Sequence, residues 1–229
     1  MSDRCLLYYI TDGGQFAGDE AARRRTLLDK IAEAARAGVD YIQLREKGLS
    51  SRELELLARD AVRAVREVRA RYRESRTRLL INSRTDVALA ATADGVHLRS
   101  NDITSVEVRN IWRSCSVDAS AGVGAPLIGT SSHTAEDVAR AASDGADFTV
   151  FAPVFGKRDY PGARPAGLAQ LREACRGKIP VFALGGVTLQ NAMSCLEAGA
   201  SGVAGIRLFQ ENTISEVVRQ LRSLNPWNH

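Results

Sequence analysis

Long hydrophobic runs, clustered cysteines and a cofactor fingerprint are all missing from this 229-residue sequence. No stretch approaches the roughly 18 apolar residues of a membrane span. The N-terminus lacks a basic segment followed by an apolar run, so the chain is read as neither exported nor anchored. Its four cysteines, Cys5, Cys115, Cys175 and Cys195, lie far apart with no C-x-x-C pair. That excludes an evident zinc site or disulfide framework and fits a reduced cytoplasm. Neither a metal-ligand cluster, a nucleophilic triad nor a dinucleotide-binding glycine motif is found.

What is present is an ordinary globular composition, 45% apolar and 25% charged, in a length that suits one large domain, here 1–229. Net charge is +4 with a pI near 9.0, and the arginines gather between Arg63 and Arg78. In that region Leu54, Leu57, Ala58, Ala61, Val62, Val65 and Val68 follow helical spacing, and the arginines fall largely on the other face. A single aromatic residue, Tyr72, falls among them and no binding motif accompanies it, so a solvated helix face is expected in preference to a nucleic-acid surface.

One phrase recurs: an Ala-rich helical segment, then Gly, then a short apolar run. It appears as AARAGVDYIQL, ATADGVHL, AASDGADFTVF and LEAGASGVAGI, with Gly38, Gly95, Gly145 and Gly199 each expected to close a helix in a left-handed cap. The glycines are 57, 50 and 54 residues apart, which is two βα units per interval at roughly 30 residues a unit. Eight strands are expected at 6–11, 40–46, 78–82, 95–99, 126–130, 147–153, 180–184 and 202–206. Helices are expected near 22–37, 51–72, 85–93, 105–113, 135–144, 167–176, 188–198 and 213–223. Ser50 with Glu53 and Thr134 with Asp137 read as helix starts, and Thr188 as the residue before another helix. Strict alternation predicts a single α/β domain, a (β/α)8 barrel of the TIM type.

In such a barrel the chemistry sits beyond the C-terminal ends of the strands. On the second strand, period-two alternation puts Gln43, Arg45 and Lys47 on one face. Buried charge needs water, a partner or an anionic ligand, so this face is read as serving an anion, with an ion pair to Glu46 or Asp102 as the plainer alternative. Gly185 and Gly186, with the last strand's GVAGIRLF, are expected where backbone N–H groups meet a phosphate, a simple chain turn being the plainer alternative. Asp102 is the best magnesium candidate, though spacing alone equally allows a plain surface carboxylate. His97 is expected in the core. His133, in GTSSHT, is a proton-transfer candidate or a simple loop residue.

The series YYITD, YIQLREK, INSRTDVALA, DGVHL, SSHT, APVF, ALGGVTLQNA and AGASGVAGI runs nearly end to end. It resembles the thiamine phosphate synthase family, which includes the TenI-type thiazole tautomerases and is built on β/α barrels. The resemblance implies a transferase joining a pyrimidine methyl diphosphate to a thiazole phosphate with release of pyrophosphate. It implies that Gln43, Arg45, Lys47 and Asn82 hold the diphosphate or pyrimidine and that Asp102 binds magnesium. Ser131 would lie by the pyrimidine, and Gly186 with the backbone at Ile206 and Arg207 would take the thiazole phosphate. Self-association is common in the family. Three positions depart from its pattern. Ser83 replaces an aspartate, the loop Gly156–Pro165 replaces a Thr-x-Thr-Lys segment, and Arg207 replaces a serine. In that loop Lys157, with Arg158 and Arg164, is expected to substitute for the lost cation. The leading expectation is the synthase, with Arg45, Lys47 and His133 as catalytic groups. A tautomerase using His133 is the second reading, and a non-catalytic barrel that binds phosphorylated ligands the third.

Overall fold

The computed structural model describes residues 4–115, 124–156 and 164–224. Strands β1 (Leu6–Ile10), β2 (Tyr41–Leu44), β3 (Arg78–Asn82), β4 (Gly95–Leu98), β5 (Leu127–Ser132), β6 (Phe148–Phe151), β7 (Val181–Ala183) and β8 (Gly202–Gly205) run in sequence order around a closed parallel barrel. The helices between them are α1 (Glu20–Ala37), α2 (Ser51–Arg71), α3 (Thr85–Ala90), α4 (Ser105–Cys115), α5 (Ala135–Ser143), α6 (Gly167–Ala174) and α7 (Ala192–Glu197). After β8 come α8 (Arg207–Gln210) and α9 (Ile214–Ser223). The (β/α)8 expectation holds. By internal packing the residues form two compact units, Met1–Tyr9 with Gly129–His229, and Ile10–Ile128.

In the first of these units the rings of Tyr8, Phe148 and Phe182 meet edge-on at 5.2 to 5.8 Å between centroids. Tyr8 on β1 and Phe148 on β6 are separated in the strand order by β7 and β8, so their rings can only meet inside the barrel. Each such pair adds about 0.5–1.5 kcal/mol beyond area burial. Tyr9 points the other way, as strand alternation requires. It packs on Phe209 of α8 and its hydroxyl donates to Gln210 Oε1 at 3.2 Å.

In the second unit α2 starts at a complete capping box. The Ser50 hydroxyl accepts from the Glu53 N–H, and the Glu53 carboxylate accepts from the Ser50 N–H. Its buried face is Leu54, Leu57, Ala58, Ala61, Val62, Val65 and Val68, the series read from the sequence. Arg59 pairs with Glu55, Arg63 with Asp60 and Arg69 with Asp94, so these arginines are a solvated and braced helix face.

The recurring glycines divide. Gly38, Gly145 and Gly199 have φ of 83°, 78° and 101° and serve as the expected left-handed caps. Gly95 does not: it lies inside β4, and the left-handed residue of that turn is Thr92 at φ 53°. Glycine is needed there for a different reason, since a Cβ would sit 1.9 Å from the Leu127 carbonyl oxygen. The helix expected from Thr188 begins later, at Ala192. Asn191 accepts from the Thr188 N–H and donates to the Gly186 carbonyl, holding residues 186–191 in a turn instead.

Candidate active site

The strand-end loops of the second unit carry most of the residues singled out above. Gln43 is 2% exposed within β2, and its carbonyl accepts from the Thr11 N–H at 3.0 Å. The expected strand 40–46 stops at Leu44, so Arg45 and Lys47 are not carried on by strand alternation. The reason is a change of partner. The Arg45 N–H turns from sheet pairing to the Thr11 hydroxyl, at 3.0 Å. That hydroxyl in turn donates to Glu46 Oε1 at 2.5 Å, and Glu46 Oε2 accepts from the Gly13 N–H at 2.8 Å. Burial holds the Glu46 carboxyl above its usual range, against the hydrogen bonds from Thr11 and Gly13 and the nearby Arg45 charge, which favour the ionised form. The plainer alternative, an ion pair of Arg45 or Lys47 with Glu46 or Asp102, is not found. Neither cationic side chain has a hydrogen bond or ion pair among the described residues.

At the end of β3, Asn82 stands in register with His97 of β4. Its amide donates to the Ser83 hydroxyl at 3.2 Å, and the Ser83 N–H donates to the His97 carbonyl at 2.8 Å. Ser83 has φ 61°, the left-handed region, which Asn and Asp adopt more readily than Ser. His97 is buried as expected. Burial, opposed by the Asp102 charge and assisted by Arg45, pushes its pKa down to about 3, so it is neutral at pH 7.

Asp102 is held from three directions. Oδ2 accepts from the Arg99 N–H at 2.8 Å, Oδ1 from the Arg99 guanidinium at 3.0 and 3.3 Å, and the Ser83 hydroxyl bonds the same carboxylate. Burial pushes this carboxyl up, but those donors outweigh it and keep the group below the usual range. An ionised, half-buried carboxylate has the chemistry of a magnesium ligand. Among the described residues no group of three or more His, Cys, Asp or Glu is gathered as for a metal. Both Asp102 oxygens already accept hydrogen bonds from Arg99, so an ion there would compete with that residue for the carboxylate.

The strand-end loops of the first unit hold the rest. Ser131 and Ser132 lie within β5 rather than beyond it. The Ser132 hydroxyl is buried 2.6 Å from that of Thr149, and Ser131 is half-buried. His133 follows at the surface with its ring Nδ1 2.7 Å from the Ala152 carbonyl oxygen. A carbonyl only accepts, so Nδ1 carries hydrogen and the other ring nitrogen, Nε2, is left for chemistry. The backbone N–H of His133 donates to Asp137 at 2.9 Å, inside the capping box of α5. Gly185 and Gly186 have φ of 95° and 65°, and a Cβ on Gly186 would meet the Gly156 carbonyl oxygen at 2.6 Å. Ile206 caps α8, and Arg207, half-buried, is its first residue. Lys157 and Arg158 lie outside the described residues.

Sequence reasoning missed the roles of Thr11, Gly13, Ser83 and Arg99, and treated Glu46 only as an ion-pair candidate. The signals were faint: a Thr-Asp-Gly-Gly run after the first strand, and a glutamate between two cations.

A family model described as thiamine monophosphate synthase matches residues 7–209. The chain belongs to this family. The thiamine-phosphate synthase of Methanoculleus marisnigri is 36% identical over 221 residues, covering 94% of this chain and 93% of that protein. The thiamine-phosphate synthase of Roseiflexus castenholzii is 36% identical over 208 residues, covering 90% and 81%. Among solved structures, the thiamine phosphate pyrophosphorylase of Pyrococcus furiosus superimposes with a TM-score of 0.75 at 28% identity, covering 97% of this chain and 96% of that one. A 3-hexulose-6-phosphate synthase, at 15% identity and a TM-score of 0.58, shares the fold alone. Membership in the thiamine monophosphate synthase family makes this chain a transferase of thiamine biosynthesis. The tautomerase reading is not needed beside relatives that carry the synthase name. No helix among the described residues is long and apolar enough to cross a membrane.

Proposed function

We propose that the chain joins a pyrimidine methyl diphosphate to a thiazole phosphate. The observation that carries this reading is the pair of cations after β2, Arg45 and Lys47, which flank a half-buried carboxylate yet are left without an ion-pair partner among the described residues. Unpaired cations near a strand end of a barrel are positioned for an anion, and a diphosphate presents several oxygens to them.

The bond between the methylene carbon and the diphosphate oxygen breaks, and its electrons leave with pyrophosphate. The thiazole nitrogen then supplies the pair for the new carbon–nitrogen bond. Arg45 and Lys47 stabilise the charge that grows on the departing oxygens, and this is the interaction that strengthens toward the transition state. Gln43 and Asn82 orient the pyrimidine end. A magnesium ion, if held by Asp102, would supply further positive charge to the leaving group. By the family resemblance, Ser131 is assigned to the pyrimidine, and the backbone at Gly186, Ile206 and Arg207, with the Lys157 cation, to the thiazole phosphate. His133, bonded through Nδ1 to the Ala152 carbonyl, presents Nε2 as a hydrogen-bond acceptor. The four free thiols suit a reducing, cytoplasmic setting.

The test supplies purified protein with both phosphorylated halves and magnesium and measures pyrophosphate release. Release at enzymatic rates, reduced at least tenfold in Lys47→Ala, supports the reading. No release above background rejects it. The thiazole carboxylate tautomer, supplied alone, shows whether an isomerase activity exists instead.

A further inference from the structure

We infer that Glu46 is a positioning residue for the two cations that flank it, acting through Thr11. A glutamate set between Arg45 and Lys47 would ordinarily neutralise them. Here both of its oxygens are turned away, to the Thr11 hydroxyl at 2.5 Å and the Gly13 N–H at 2.8 Å. The Thr11 hydroxyl links the two strand ends, because it also accepts from the Arg45 N–H at 3.0 Å while the Thr11 N–H donates to the Gln43 carbonyl at 3.0 Å. Residues 43–46 are thus fastened to residues 11–13 by four hydrogen bonds. Three of them form a chain from the Arg45 N–H through Thr11 and Glu46 to Gly13.

Two further observations fit a built contact rather than a chance one. Thr11 is fully buried, so its hydroxyl must find partners, and it has both a donor and an acceptor. Gly13 is the residue that makes room: a Cβ there would stand 2.6 Å from Glu46 Oε2 and 3.3 Å from its Cδ, displacing the carboxylate. Occupied on both oxygens, Glu46 is withheld from ion pairing. The backbone that carries Arg45 and leads to Lys47 is fixed, so a phosphate ligand meets both cations without first breaking an internal ion pair. Glu46 and Thr11 touch no reacting atom in this reading. They act through Arg45 and Lys47.

This inference rests on the reading of Arg45 and Lys47 as diphosphate-binding groups, and the experiment separates the two. Pyrophosphate binding is measured by calorimetry, and kcat and KM for the diphosphate substrate by pyrophosphate release, in wild type, Lys47→Ala, Glu46→Gln, Thr11→Val and Thr11→Ser. The expected result is a loss of pyrophosphate affinity of about fivefold or more in Glu46→Gln and in Thr11→Val, mirrored in KM with kcat changed much less. Combining Glu46→Gln with Thr11→Val in one protein should bind no worse than about twofold below the weaker-binding of the two single variants, because both act on one chain of bonds. Thr11→Ser, which keeps the hydroxyl, should recover the affinity that Thr11→Val loses. If Glu46→Gln is too unstable to assay, the Thr11 pair decides alone. Affinity within about twofold of wild type in Glu46→Gln and Thr11→Val, while Lys47→Ala loses binding, overturns the positioning role and leaves the anion reading standing. Lys47→Ala binding as tightly as wild type removes the anion reading and this inference with it.

Discussion

His97 gives the sharpest quantitative expectation. Its ring is buried in β4, and burial lowers its pKa to about 3 against an ordinary 6.5, with Asp102 pulling upward and Arg45 downward. The folded state therefore refuses a proton that the unfolded chain accepts. Between pH 6.5 and 3 the unfolded state binds more protons, so stability rises with pH across that window. The contribution is fully present above 6.5, is lost progressively as pH falls, and changes no further below about 3. Each pH unit below 6.5 removes about 1.4 kcal/mol, so moving from pH 7 to pH 4 removes about 3 kcal/mol. For a protein stable by 5–15 kcal/mol, about 3 is a large share. Other carboxylates titrate in the same range, so the measurement is a difference. Urea unfolding followed by circular dichroism at pH 7 and pH 4 is compared between wild type and His97→Gln. Wild type should lose about 3 kcal/mol more than the variant over this interval. Parallel losses within about 1 kcal/mol would refute the claim that the fold excludes the imidazolium.

Other expectations are read out as simply. Ser83→Asp puts a second carboxylate beside Asp102 in a left-handed position that Asp accepts. It should strengthen magnesium binding by about tenfold, seen as a rise in Tm at lower magnesium concentration, and an unchanged titration would count against Asp102 as the ligand. Gly186→Ala combines a φ of 65° with a 2.6 Å approach to the Gly156 carbonyl oxygen. It should destabilise by about 1–3 kcal/mol and raise KM for the thiazole phosphate, whereas a neutral effect on both would show that this turn is not held tightly. Native protein at pH 8 should give one fast thiol with an aromatic disulfide reagent, the exposed Cys115. Cys5 and Cys195 are buried, and burial pushes Cys175 and Cys195 up to about 12. Four fast thiols without denaturant would contradict that burial.

The sequence by itself determined the repeating unit and therefore the barrel. Helix spacing, the Ser50–Glu53 and Thr134–Asp137 caps and the left-handed glycines Gly38, Gly145 and Gly199 are short-range effects, settled among residues a few positions apart. The series from YYITD to AGASGVAGI also carried the family, and Gln43, Asn82 and His97 were placed correctly on their strands. Period-two alternation was carried two residues too far, to 46, because it holds only while sheet pairing lasts, and pairing stops at Leu44, where a side chain 34 positions away, Thr11, takes over the Arg45 N–H. Gly95 was misassigned for a similar reason, since its need for glycine comes from the Leu127 backbone rather than from its own turn. Only the tertiary structure could decide that Glu46 binds Thr11 and Gly13 instead of its neighbours, and that Asp102 is shared by Arg99 and Ser83. A charge's partner depends on which strand ends stand side by side and how far each donor reaches. Spacing along the chain records neither.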